Sequence, residues 1–503
     1  MSQPPEDQPD FVMANQEAAV GANATAPDPH QVYPAVEEPT KKSKTPAIIA
    51  GVVALALIVG GALVAMNLLR GGTAVAAKGI PATAGMVFEL NLKPAAADQL
   101  ALKDIAAKFP QVEVKETTDY KEALWELIPD ESDKPDYAEI QPWLGDSAAV
   151  GLVIEDDLSE PSPVLAIHVT DKAKAEAFFT KEADDALIFF VDDVIVVADK
   201  DSGLTADAIK GSSVADNADY TADMAKLTGT HLATMWMSSA FMDTAIDNAT
   251  ETAPEVSADA LEAARGMRIA AALQASEYLL TMRMLTVTPN APETGTLPDV
   301  VEFAKGLDGG SLVTVAMGLS RETVENGWEQ AKQVPEFEQG REMLSSIGIT
   351  GPDDLLALLG SQIGFSVGME AGQPVVGAKL QSDNPARQAE LFDGFRDLLL
   401  ESGGEGITLE QVDGIGVIAF GQGTDQVLNP ATRLGDIESF AKVIDGKSQT
   451  LVYANLDAIF ALPEIADLTA EADEWTRALS AVGMTSNVTG PGEAETLVRV
   501  AFK

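Results

Sequence analysis

Two stretches, Met86-Val-Phe-Glu-Leu-Asn-Leu92 and Leu312-Val-Thr-Val-Ala-Met-Gly-Leu319, decide how this chain is read. In the first, Phe88, Leu90 and Leu92 fall on one face of an extended chain. In the second, Val313, Val315, Met317 and Leu319 do the same. Alternation with a period of two is the mark of a half-buried strand. Each stretch is followed by a helical pattern. Leu102, Ile105 and Phe109 share a helix face that stops at Pro110, and Arg321 to Gln333 takes the matching place later in the chain.

The parallel continues outward. Trp143-Leu-Gly-Asp-Ser-Ala-Ala-Val-Gly151 aligns with Leu358-Leu-Gly-Ser-Gln-Ile-Gly-Phe-Ser366, and Pro163 to Val169 aligns with Pro374 to Leu380. Helical patterns follow each pair, Asp171 to Ala183 and Asn384 to Glu401, the second with Asn384 as N-cap and Pro385 in the first turn. Strand patterns then recur as Phe190 to Val197 and Gln411 to Ile418, and as His231 to Trp236 and Thr450 to Asn455. Ala264-Arg-Gly-Met267 matches Ala481-Val-Gly-Met484 before a last strand. The order from Ile80 to about Pro289 thus recurs from Gly309 to Lys503. The expected fold is α+β, with antiparallel sheets flanked by helices and built by internal duplication, the halves being 80–300 and 301–503.

Upstream, Pro46 to Met66 contains only Pro, Ala, Ile, Gly, Val, Leu and Met. About 20 apolar residues suffice to cross a bilayer as a helix, so 46–69 is expected to be a transmembrane helix. Lys41, Lys42 and Lys44 precede it, and Arg70 and Lys78 follow. That bias places the N-terminus in the cytoplasm and the bulk of the chain outside the cell membrane. Ala74-Val75-Ala76 offers the alternative of a cleaved signal peptide. Residues 1–45, rich in proline and poor in large apolar side chains, read as a disordered cytoplasmic tail, and 70–79 as a linker.

The chain of 503 residues carries a net charge of −45, of which residues 71–503 hold −42. Such a field repels nucleic acid, so no nucleic-acid partner is expected. Absence of cysteine excludes disulfides, thiolate metal sites and cysteine nucleophiles.

The remaining motifs carry little chemistry. Gly414-Ile-Gly416-Val-Ile-Ala419 has the letters of a dinucleotide fingerprint but lies inside a strand pattern, without the turn into a helix that phosphate binding needs. Ser439-Phe-Ala-Lys442 and Ser382-Asp-Asn384 occur in the wrong order for a serine acyl-enzyme, and Lys-Thr-Gly is missing. Asp199-Lys-Asp201-Ser-Gly203 lacks the spacing of a calcium loop. Asp192, Asp193, Asp199 and Asp201 remain as weak cation candidates. His168 and His231 lack a ligand spacing, and no pair of carboxylates stands out as acid and base. No catalytic residue and no cofactor is expected.

Ile80-Pro-Ala-Thr-Ala-Gly85, then Leu92-Lys93-Pro94-Ala95-Ala96-Ala97 leading on to Lys108-Phe109-Pro110, resembles the opening of a family of bacterial envelope proteins with a domain of unknown function. Its members have a proline-rich cytoplasmic tail, one membrane helix and a long outer domain. The resemblance runs from about residue 46 to the end and implies no activity or catalytic residue. The expectation is a membrane-anchored envelope protein that is not an enzyme, acting by binding or scaffolding, with envelope proteins as partners. Two alternatives stand beside it: a hydrolase using dispersed carboxylates, and a lipid carrier with an apolar cavity between sheet and helices.

Overall fold

The computed structural model describes residues 75–109, 119–126, 135–154, 161–182, 186–252, 258–332, 337–401, 406–463, 465 and 478–503. The first half supplies β1 (Ala84–Asn91), β2 (Leu144–Val153), β3 (Ser162–Val169), β4 (Ala186–Val191), β5 (Val194–Asp199), β6 (Ala233–Met237), β7 (Arg268–Ser276) and β8 (Leu279–Val287). The second supplies β9 (Val313–Gly318), β10 (Gln362–Glu370), β11 (Gln373–Gln381), β12 (Ile407–Val412), β13 (Ile415–Phe420), β14 (Thr450–Asn455), β15 (Leu479–Gly490) and β16 (Glu493–Phe502).

The expectation of separate sheets is corrected: all sixteen strands of the described residues join one antiparallel sheet, ordered β12-β13-β11-β10-β9-β14-β15-β16-β8-β7-β6-β1-β2-β3-β5-β4. Read from either edge towards the centre, strand order is the same in both halves. The halves meet where β8 pairs β16, with Arg283 opposite Leu497 at the centre of the correspondence.

The likeness extends to fine detail. Ala77-Lys78-Gly79-Ile80 and Ala304-Lys305-Gly306-Leu307 both form a short helical turn over the sheet. Both are followed by an isolated bridge, Pro81 to Ser213 and Asp308 to Arg433. Val87 pairs Trp236 in β6 as Thr314 pairs Tyr453 in β14. Edge-on aromatic pairs recur as Tyr220–Trp236, centroids 5.5 Å apart, and Phe440–Tyr453, 5.4 Å apart. Pairing sets Ala270 opposite Trp236 and Gly483 opposite Tyr453. The alignment of Ala264–Met267 with Ala481–Met484 is therefore four residues out of register.

Local turn chemistry explains two further corrections. Phe190 to Val197 and Gln411 to Ile418 are not single strands but hairpins. They reverse at Asp192-Asp193 and Asp413-Gly414, with φ of 49° at Asp192, 50° at Asp413 and 89° at Gly414. Positive φ at these central positions matches the twist of the flanking strands, and Asx and Gly tolerate it best.

The transmembrane expectation is also corrected. Among the described residues no helix is long and apolar enough to cross a membrane. The longest, Pro385–Glu401, has 17 residues and is interrupted by Arg387, Glu390, Asp393, Arg396 and Asp397, where a crossing helix needs about 20 apolar residues. Segment 46–69 itself, the tail 1–45 and linker residues 70–74 lie outside the described residues. Single-pass topology, the cytoplasmic placement of the N-terminus, location in the cell membrane or envelope and partnership with a membrane are accordingly not carried forward.

The two faces of the sheet differ. One is lined by small side chains, among them Ala149, Ala166, Ala270, Ala272, Ala316, Gly364 and Gly483, so short helical segments lie close upon it. A Cβ on Gly364 would stand 2.8 Å from Leu307 and Phe303, and one on Gly483 2.6 Å from Val443. On this face Val87, Trp236 and Leu285 pack with Ile80 and Val214 in the first half, and Leu451, Tyr453 and Ala481 with Leu307 and Phe440 in the second.

Candidate ligand-binding face

The opposite face carries an unbroken apolar row, bordered on the central strands by Thr450, Ser486 and Thr496. The row crosses every strand: Leu409, Ile418, Ala378, Phe365, Val315, Val452, Met484, Val498, Met282, Leu273, Ala233, Leu90, Ala148, Ile167, Ile195 and Phe190. Each member sits opposite the next in the strand ladder, and none is polar. At a strand spacing of about 4.8 Å the row runs for roughly 70 Å.

Helices cover parts of this face. Leu102, Ile105 and Phe109 pack over Leu90, Ala233 and Leu280, and Trp143, Phe178 and Phe179 over Leu165, Ile167, Ile195 and Val197. Leu391 and Phe392 pack with Leu380 and Leu409. Between these patches the apolar side chains stay partly open. Along β9, Val313, Val315 and Met317 are half-buried while Thr314, Ala316 and Gly318 are buried. Phe365 on the neighbouring β10 is 40 % exposed. In an ordinary half-buried strand the large apolar residues would be the covered ones; here the small and polar residues are covered instead.

Methionine is concentrated here. Met86, Met235, Met237, Met282, Met284, Met317, Met369 and Met484 lie on this face, eight of the fifteen methionines in the chain. Unbranched, polarizable thioethers adapt to irregular apolar partners, which suits a surface that must accept more than one shape. Sequence alternation put Phe88 and Leu90 on one face of the first strand and Val315 and Met317 on one face of the second; Leu90 is buried beneath a helix, whereas Phe88, Val315 and Met317 stay half-open. The signal that distinguishes the open positions is the methionine content of alternate positions on neighbouring strands, which becomes visible once strand order is known.

A second candidate lies on the covered face of the first half and escaped sequence reading. Glu89 of β1 is 7 % exposed and accepts a hydrogen bond from the Ala76 amide at 3.1 Å. Burial pushes its carboxyl up to about 8, against the opposing pull of the Ala76 and Ala77 amides. Tyr220 stands near enough for the Glu89 charge to raise its phenol further above a value already lifted by burial. Its hydroxyl has no hydrogen-bond partner among the described residues. Asp223, 1 % exposed, accepts from Trp236 Nε1 at 3.1 Å and from Arg268 Nε at 2.8 Å.

The second half serves as an internal control. By strand pairing and bridge positions, Ala316, Phe440, Val443, Tyr453 and Ala481 occupy the places of Glu89, Tyr220, Asp223, Trp236 and Arg268. The fold therefore forms without these polar groups. Its own buried charge is Lys379, in the place of Ala166, donating to the Gly306 carbonyl at 2.7 Å and the Leu428 carbonyl at 3.1 Å. Both carbonyls close short helices, where a cation is favoured. Burial, followed by the neighbouring Arg433, holds the Lys379 ammonium below its ordinary range despite Asp308.

The four aspartates read as cation candidates are not brought together. Asp192 and Asp193 form the hairpin turn at one end of β5, pairing with Lys210 at 3.8 Å and Lys172 at 3.1 Å. Asp199 ends the same strand and accepts from the Asp201 amide at 2.8 Å. Six residues of strand part the two pairs by roughly 17–20 Å. His168 Nδ1 accepts from the Asp146 amide, and the His231 ring contacts the Leu227 carbonyl. Gly414 lies in the β12–β13 turn, and Gly416 leaves room for the Gln388 side chain, 2.7 Å from where a Cβ would stand. Neither glycine precedes a phosphate-binding helix. Ser382 binds the Ala357 carbonyl, and Ser439 contacts the Tyr453 hydroxyl rather than Lys442.

No family model, no curated protein and no solved structure matches this chain.

Proposed function

We propose that this protein binds long apolar chains, such as the alkyl chain of an amphiphile, along the methionine-rich face of its sheet. One observation carries the reading: large apolar residues of β9, β10 and β15 remain half-open while small and polar residues on the same strands are buried. Extended apolar surface left open on a folded protein marks a binding surface. The excess of negative charge disfavours an anionic head group, so a neutral or cationic amphiphile fits best. Catalysis finds less support. Glu89, the described carboxyl with a value lifted to the neutral range, is sealed beneath the Ala76–Gly79 turn, away from this face.

Titration of the full chain with a fluorescent long-chain alkyl ammonium should give saturable, blue-shifted emission. Val498→Asp, which places a charge mid-row on a partly open position, should weaken binding by about tenfold or more through the cost of desolvating a carboxylate. Absence of saturable binding would sink the reading. So would a stable dimer whose dissociation by Val498→Asp exposes the face, because the face would then serve a second copy of the chain.

A further inference from the structure

Beyond Met317 lies an open groove of about 250 Å³ lined by residues of the helices Arg321–Ala331, Phe337–Ser346 and Pro352–Leu359. Leu319, two residues past Met317 and on the same side of the extended chain, forms part of its wall. Val324, Trp328, Phe337, Leu344 and Leu355 form much of the rest, with Trp328 and Phe337 edge-on at 5.3 Å. Among the described lining residues Thr323 contributes the one side-chain hydroxyl, and it is already engaged, donating to the Thr294 carbonyl at 3.1 Å and contacting Ser320 Oγ at 2.9 Å. Among the described residues the groove therefore offers an occupant apolar contact and no free side-chain donor.

We propose that this groove receives the methyl end of the chain bound along the sheet and so sets the chain length the protein prefers. The inference rests on the alkyl-binding reading above and adds the end of the ligand to it. Three observations point to an alkyl terminus. Among the described residues the walls lack a free polar side chain, which a head group would require. Leu319, two residues beyond Met317 of the apolar face, lines the groove. Its volume falls below the ~300–1,000 Å³ of pockets that enclose whole drug-sized ligands, so it suits a chain end whose remainder lies outside.

Gly327 allows a clean test. It lines the groove on the Arg321–Ala331 helix, and a Cβ placed there meets nothing within 4 Å. Gly327→Leu should fill space without disturbing packing, and replacing a helical glycine also favours the helix. Straight-chain alcohols of increasing length would compete with the fluorescent alkyl ammonium on the full chain. Wild type should gain affinity with length until the groove is full. Gly327→Leu should leave short alcohols unchanged and weaken the longest by roughly tenfold, the worth of about two methylenes returned to water. Ala331→Phe, from another part of the wall, should shorten the preferred chain in the same way. A length profile identical to wild type in both folded variants overturns the groove assignment and leaves the sheet-face reading standing. Failure of every alcohol to compete in wild type overturns the sheet-face reading, and this inference with it.

Discussion

At the scale of single residues, Glu89 is the clearest departure from what the fold needs. Its carboxyl is lifted from 4.5 to about 8, chiefly by burial. Between these values the folded chain holds a proton that the unfolded chain has released, so unfolding becomes easier as pH rises. The contribution is complete below about 4.5, declines through the neutral range and is gone above about 8. Asp119, Asp146 and Asp354 are lowered and act in the opposite sense, but their effect is confined to acid pH. Denaturant unfolding at pH 6 and pH 9 should show wild type losing of order 2–3 kcal/mol over that interval, and Glu89→Gln losing much less. Parallel losses in the two proteins would count against a protonated Glu89. Nothing at position 89 alone announces this. A glutamate between Phe88 and Leu90 reads as the solvent side of an amphipathic strand, and only its match to Ala316 in the second half marks it as misplaced.

At the scale of elements, alternation revealed both strands, but while a helix buries Leu90 and Leu92 in the first, the apolar side of β9 stays half-open. Met86 to Leu92 and Leu312 to Leu319 overlap β1 and β9, because a period of two is local and survives any context. Which face is covered depends on where helices dock, and that is decided by small residues such as Ala316, Gly364 and Gly483 on neighbouring strands far apart in sequence. The two turns were hidden for a related reason. Val191-Asp-Asp-Val194 and Val412-Asp-Gly-Ile415 sit within runs of apolar residues that also suit one long strand. The inverted burial along β9 predicts an inverted tolerance. Met317→Gln, at a half-open position, should cost no more than about 1 kcal/mol of stability. Ala316→Gln, 0 % exposed against the Val301–Lys305 helix, should cost about 3 kcal/mol or more through overpacking and an unsatisfied amide. Thermal unfolding of the two variants side by side checks this; equal tolerance at both positions would mean that β9 buries its methionine side.

At the scale of the whole molecule, the repeated order of segments was legible because each half keeps its elements in sequence, whereas the seam was not. β8 and β16 end their respective halves, and their pairing joins residues more than two hundred positions apart, from Glu493–Val287 to Ala501–Leu279. Turn residues and alternation carry no information about such a pairing. The seam makes one sheet of two, and with it one uninterrupted apolar row. It should also couple the halves energetically. Each half retains its own covered-face core, around Trp236 in the first and Tyr453 in the second. Breaking the seam should therefore uncouple the halves before it unfolds either. Val498→Pro sets a proline in a central strand between Met484 and Met282, where its ring cannot donate to the ladder. Calorimetry of wild type should give one cooperative transition, and Val498→Pro should give two, one for each half. A single transition at lower temperature would show that the halves are held together by more than the β8–β16 ladder. Two transitions accompanied by loss of alkyl-chain binding would show that the row works only when both halves supply it.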